Sequence, residues 1–283
     1  MFQEKAFVTG HNGFIGKHLL ERLKARRTYL YNRDEPVESL ATFKPNYIYH
    51  LAAEIYKEDE MLDSNILLTY KLLEQARKLP DLKAFIYIGS SSEYGRKDHP
   101  MSETDYLDPT NMYEATKGAG TLLCQAYART YGVPVVIARP FSLYGEHEPR
   151  KRFIPTIIKN IKKHRRLDIS PGVHDFIHID DFIDGLFILA ENTHPGEIYN
   201  FGTGVQTSNE ELVELIEDII GDKALKALKA LIDPLHNYDS DCWVADISKA
   251  EELGWKPNHT LESGLTLTVK QISKPKNYFN KRS

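Results

Sequence analysis

The chain has 283 residues, 41% of them hydrophobic and 27% charged, enough to bury a full core as one large domain or as a domain with a smaller lobe. A net charge of -4 supplies no broad basic field, which argues against a nucleic-acid partner. No apolar run approaches the roughly 20 residues that a membrane span needs, and the start of the chain leads directly into a strand, so a cytoplasmic protein with no signal peptide and no membrane partner is expected.

The two cysteines, Cys124 and Cys242, lie in no ligand spacing, so no metal is expected and a reducing compartment suits the chain. Lys5 to Thr9 reads as a short apolar strand, and a helical pattern follows from Lys17 to Arg26. Between them stand Gly10, Asn12, Gly13, Phe14, Ile15 and Gly16, a glycine-rich turn in the place where a phosphate-binding loop must be. Glycines there let the backbone turn tightly, approach a pyrophosphate and offer it the free N–H groups of a helix start. The next strand, Thr28 to Asn32, ends in Asn32-Arg33-Asp34. An arginine at that point accommodates the 2'-phosphate of NADP, and an acidic residue binds the 2'-hydroxyl of NAD, so Arg33 favours NADP while Asp34 keeps NAD as the alternative.

Strands and helices then alternate: Tyr47 to Leu51, Asn65 to Lys78, Ala84 to Ile88, Tyr113 to Tyr131 and Val135 to Ala138. That order predicts an α/β fold, a doubly wound parallel sheet covered on both faces. Ligands of such sheets sit beyond the carboxyl ends of the strands. Two strand ends and one helix start therefore face one crevice: Leu51-Ala52-Ala53, the run Ser90-Ser91-Ser92-Glu93, and the helix that opens with Tyr113-x-x-x-Lys117. That pair is the only Tyr-x-x-x-Lys in the chain. Four residues apart on a helix, a phenol and an ammonium share one face, and the cation favours the phenolate, which would give an acid/base group near neutral pH.

Arg139-Pro140-Phe141-Ser142 ends the following strand, and a basic, Pro/Gly-rich segment runs on to Gly172. A helix from Phe182 to Glu191, with Asp180 or Asp181 near its cap, precedes a strand and turn from Ile198 to Gly204 and a helix from Asn209 to Ile220. Lys223 to Ala230 reads as an amphipathic helix, and Leu253-Gly254-Trp255-Lys256-Pro257 as a helix stop and the last element.

With these residues in view, the sequence resembles the extended short-chain dehydrogenase/reductase family, of the NAD-dependent epimerase/dehydratase type, that acts on nucleotide-diphosphate sugars. The landmarks are Thr9-Gly10-x-x-Gly13-Phe14-Ile15-Gly16, His50-Leu51-Ala52-Ala53, Asn65, the serines before Tyr94-Gly95, Tyr113-x-x-x-Lys117, Arg139-Pro140, Asp175 to Asp181, Asn200-x-Gly202-x-Gly204 and Leu253-Gly254-Trp255. The resemblance implies a dinucleotide-binding Rossmann domain over 1–145, taking in roughly 176–202, and a discontinuous C-terminal substrate lobe over 146–175 and 203–283. It implies Tyr113 as acid/base, Lys117 on the nicotinamide ribose, and a serine on the reacting oxygen. Counting from the strand that serine is Ser91; counting back from Gly95 it is Ser90, and Ser91 is preferred. Ser90, Ser92, Phe141, Ser142 and Arg152 fall where substrate contacts are expected, with Arg150 and Lys151 as further anion contacts.

One departure from the family pattern and one further likeness bear on the subclass. The stretch from Gly16 to His50 holds only one strand and one short helix, where the family's epimerases and dehydratases insert more. It is similar to the branch that uses NADPH to reduce the C4 ketone of 4-keto-deoxy nucleotide sugars, which becomes the preferred expectation. Glu93 is similar in place to the proton-abstracting glutamate of the 4,6-dehydratases, so an NAD-retaining 4-epimerase or dehydratase is the alternative, and a cofactor-gated binding protein of the same fold the third. A homodimer through the helices that start at Asn65 and Tyr113 is also expected.

Overall fold

The computed structural model describes residues 4–23, 27–221, 229–231 and 242–273. In chain order the elements are β1 (Lys5–Thr9), α1 (Phe14–Arg22), β2 (Arg27–Tyr31), α2 (Ser39–Phe43), β3 (Tyr47–His50), α3 (Glu58–Met61), α4 (Leu68–Ala76), β4 (Ala84–Ile88), α5 (Met112–Tyr131), β5 (Val135–Pro140), β6 (Ser142–Tyr144), α6 (Phe153–Lys162), β7 (Leu167–Ile169), β8 (Val173–His174), β9 (Phe176–His178), α7 (Ile179–Glu191), β10 (Ile198–Phe201), β11 (Thr207–Ser208), α8 (Asn209–Ile220), β12 (Lys229–Leu231), α9 (Ser248–Glu252) and α10 (Leu261–Ile272).

Six strands form one sheet in the order β10-β5-β4-β3-β1-β2, every pairing parallel. The order reverses at β1, which has β2 on one side and β3 on the other, so the crevice above the ends of β1 and β3 is the switch point where such sheets take ligands. β2 ends the sheet; among the described residues between α1 and β3 the chain makes that strand and the five-residue α2. One face of the sheet packs against α1 and α7 through Leu19, Phe182, Leu186 and Leu189, with Trp255 closing the cluster. The opposite face packs against α4 and α5 through Leu72, Leu73, Cys124 and Tyr127. A third apolar cluster joins α6, α8 and α10 through Ile154, Ile158, Leu212, Ile216 and Leu265.

Several elements differ from the pattern read in the sequence. α1 begins at Phe14 because the Lys17 N–H already reaches the Gly13 carbonyl at 3.1 Å, so the last glycine lies inside the helix. The helix expected from Asn65 is entered through α3 and a π-helical turn, Leu62–Leu67. That turn widens where the Asn65 side chain accepts the Glu54 N–H at 2.8 Å and donates to the Glu54 carbonyl and the Thr116 hydroxyl. α6 stands in the basic, Pro/Gly-rich segment to which the sequence pattern assigns no element, and α10 follows the expected last element, started by a Thr260 cap. α7 is capped by His178, which puts Asp180 and Asp181 in its first turn. The expected helix over 223–230 lies outside the described residues as far as 228, and its last two residues are in strand β12.

Candidate active site

The glycine turn is built by sterics. Gly10 has φ +67°, and a β-carbon on it would lie 2.6 Å from the Ala52 nitrogen, so only glycine lets the turn lean on the Leu51-Ala52 backbone. Gly16 is packed as closely: a β-carbon there would lie 2.5 Å from the Gly10 carbonyl oxygen. α1 starts at Gly13 with no side chain capping it, which leaves its first N–H groups for an anion. A pocket of about 350 Å³ opens beside this helix start, lined by Gly10, Asn12, Gly13, Asn32, Arg33, Leu51, Ala52 and Ala53. Glycines without side chains, small alanines and a positive helix end fit a dinucleotide's pyrophosphate. Phe14 and Ile15 lean away into the first core cluster, and Gly16 is buried behind the turn. At the pocket's far wall Arg33 pairs with Glu60 at 2.7 Å and Asn32 donates to Glu35 at 2.8 Å; Asp34 is exposed and is not part of the lining.

Sequence reasoning passed over a buried polar chain beneath this wall. Thr69 donates its hydroxyl to the Asn65 carbonyl at 2.7 Å, so its oxygen accepts from His50 Nε2 at 2.9 Å. His50 Nδ1 must then accept from the Thr9 hydroxyl at 2.8 Å, and the Thr9 oxygen in turn accepts the Ala52 N–H at 3.1 Å. Burial, helped by the charge of Lys117, pushes the His50 pKa down to about 3 and keeps the ring neutral. Its signal in the sequence is a threonine before Gly10 and a histidine before Leu51, both at strand ends.

α5 is started by Asn111, whose side chain accepts the Glu114 N–H at 3.0 Å. That fixes Tyr113 in the first turn, partly exposed, with Lys117 fully inside. Lys117 Nζ donates to the Ile88 carbonyl at the end of β4 and sits 4.5 Å from the centre of the Tyr87 ring. Burial pulls its pKa down to about 8. Tyr113 is raised, first by burial, against a lowering hydrogen bond from Ser90; the Glu93 charge raises it and that of Arg152 lowers it. The expected lowering by Lys117 is not among these influences.

Between β4 and α5 the serine run folds into a short 3-10 turn, Ser91–Tyr94, with Ser90 as its cap. The hydroxyl that meets Tyr113 is therefore that of Ser90, which also pairs with Ser92 at 2.7 Å. Ser91, the serine preferred from the strand count, is buried. Glu93 departs further from expectation: it is fully buried, and its carboxylate accepts from Arg139 at 2.8 Å, Thr121 at 2.8 Å and the Ser90 N–H at 2.8 Å. Its Oε1 holds the serine turn on the sheet, and its Oε2 is taken up by Arg139 and Thr121. Phe141 packs into a small cluster with Tyr94, Met101 and Ala245, away from the surface. Ser142 is partly exposed, 3.3 Å from His174 Nδ1. Arg150, Lys151 and Arg152 are exposed at the entry to α6, and Arg152 reaches Glu148 at 3.2 Å. Glu148 is 4% exposed, and burial pushes its pKa up to about 8.

The sequence pattern of the NAD dependent epimerase/dehydratase family matches residues 6–202. A probable dTDP-glucose 4,6-dehydratase of Sinorhizobium fredii is 27% identical over 94% of this chain and 91% of its own length. Among solved structures, the UDP-glucuronic acid 4-epimerase of Bacillus cereus, in complex with UDP-glucuronic acid and NAD, superposes with a TM-score of 0.84 at 27% identity, covering 95% of this chain and 98% of that one. RMD from Pseudomonas aeruginosa, complexed with NADPH, gives 0.82 at 25% identity over 95% and 98%. Among the described residues, no helix is long and apolar enough to cross a membrane.

Proposed function

This chain belongs to the NAD dependent epimerase/dehydratase family, and on that premise we propose that it is a 4-epimerase of a nucleotide-diphosphate sugar, oxidising C4 and reducing it again from the opposite face with retained NAD. The observation that carries the reading is the meeting of Ser90 and Tyr113, with Lys117 one turn on and the Glu93 carboxylate paired with Arg139, in a chain whose glycine turn opens on a pocket of about 350 Å³. NAD, when bound, takes up the hydride and gives it back. Tyr113 receives the C4 hydroxyl proton and returns it, Ser90 holds the same oxygen by its hydroxyl, and Lys117, anchored on the Ile88 carbonyl, would hold the nicotinamide ribose. The exposed cations at the entry to α6 receive the diphosphate, and the lobe of 146–175 and 203–283 covers the sugar.

A 4,6-dehydratase needs a base beside C5, and the ion pair with Arg139 takes Glu93 out of that role. Arg33 at the pocket edge favours a second reading, an NADPH-dependent 4-ketoreductase, since an arginine there suits a 2'-phosphate. The test is incubation of the purified protein, with no cofactor added, with UDP- and dTDP-hexoses, followed by proton NMR of the C4 epimers. Epimer formation supports the first reading, and NADPH oxidation with a 4-keto sugar the second; neither removes both. We extend the reading to a homodimer through α4 and α5, which leave Tyr70, Leu122 and Tyr131 exposed.

A further inference from the structure

Histidines gather where β9 hands over to α7. His178 caps the helix, and Asp180 and Asp181 fill its first turn. His259, from the stretch between α9 and α10, lies against them with its ring centre 4.4 Å from that of His178. One donor atom from each of His178, Asp180 and His259 lies within 4.8 Å of the other two, the only such group among the described residues.

The surrounding hydrogen bonds leave lone pairs inside this group. Asp181, 1% exposed, accepts from His259 Nδ1 at 2.9 Å and from the His259 backbone N–H at 3.1 Å, so Nε2 of His259 is the nitrogen without a proton. A buried carboxylate behind an imidazole is how proteins orient a histidine that ligates a metal. His178 is 2% exposed, and because its Nδ1 accepts from Asp180 its Nε2 carries the proton, buried with no hydrogen-bond partner, which leaves Nδ1 as the nitrogen turned to the group. Its Nδ1 receives only a long bond from the Asp180 N–H, 3.3 Å, and lies 3.7 Å from the Asp180 carboxylate. Asp180 keeps 42% of its side chain exposed, which gives an ion a way in from solvent.

We propose that His178, Asp180 and His259 bind one divalent transition-metal ion, Zn²⁺ in first place. Two imidazoles and one carboxylate are a ligand set that suits zinc, with a fourth position for water, whereas Ca²⁺ and Mg²⁺ call for more oxygens. The charges of Asp180 and Asp181 offset the positive end of α7, which alone would repel a cation. The ligands come from two separate stretches, so the ion ties the approach to α10, and through Leu265 the third core cluster, to the start of α7. No ligand comes from the serine turn or from α5, so the site stands whether or not the proposed reaction does.

The experiment uses the full chain after treatment with a chelator. Zn²⁺ is titrated in competition with a chromophoric chelator, Co²⁺ is followed by its visible absorption, and melting is recorded with and without Zn²⁺. The expected result is one equivalent of Zn²⁺ per chain, a Co²⁺ spectrum of a four-coordinate site, and a higher Tm with Zn²⁺. His259→Gln, which keeps a donor for Asp181, and Asp180→Asn should each weaken binding by about 10-fold or more. Both should melt like the parent when metal is absent. No bound equivalent, or parent-like binding by both variants, would overturn the proposal.

Discussion

At the scale of single residues, the serine turn decides which hydroxyl can serve Tyr113. Ser90→Ala removes the hydroxyl that lowers the phenol's pKa and should lower kcat by about 10²-fold or more, within the usual worth of a positioned acid/base partner. Ser91→Ala should stay within a few-fold of the parent; steady-state kinetics of the two variants separate them. Glu148 gives a pH prediction with a definite sign. Its folded pKa, about 8, lies above the ordinary carboxyl value, so between the two the folded chain holds a proton that the unfolded chain has released. Stability should therefore fall as pH rises from about 5 to about 8, and Glu148→Gln should flatten that slope in urea melts taken across the range. The Tyr113/Lys117 pair was legible because it follows from helical spacing alone. The choice between Ser90 and Ser91 was not, because counting residues does not give the phase of a 3-10 turn. The fate of Glu93 was not either, since Arg139 is 46 residues away in sequence.

At the scale of elements, the parallel strands could be read from short apolar runs closed by glycine or small residues, and β4 and α8 fall where the pattern put them. α6 carried a readable signal, Ile154, Ile157, Ile158 and Ile161 at helical spacing, hidden by Pro155 and the flanking charges. Proline is tolerated there because it lies in the first turn, where no N–H bond is lost. The π-helical turn at Asn65 had no local signal: its cause is the Glu54 backbone and a threonine on α5. Gly10→Ala tests the turn before α1. The added methyl meets the Ala52 nitrogen at a backbone angle that alanine resists, so the variant should lose Tm and retain less dinucleotide, read by melting and by absorbance after denaturation.

At the scale of the whole molecule, the sheet could be foreseen and the packing of distant stretches on it could not; no spacing rule places His259 beside His178. The exposed apolar side chains of α4 and α5 make the assembly testable. Light scattering should report a dimer at micromolar concentration, and Leu122→Glu on α5 should shift it to monomer without unfolding it. The run of bonds from Ala52 through Thr9, His50 and Thr69 to Asn65 reaches across two strands into the π turn, and each hydroxyl in it gives and receives once. Its polarity cannot be turned around one link at a time, since the two backbone groups at its ends admit a single sense. The floor under the glycine turn thus behaves as a ratchet with one tooth: a breach at any member should loosen both the glycine side and the tyrosine side together.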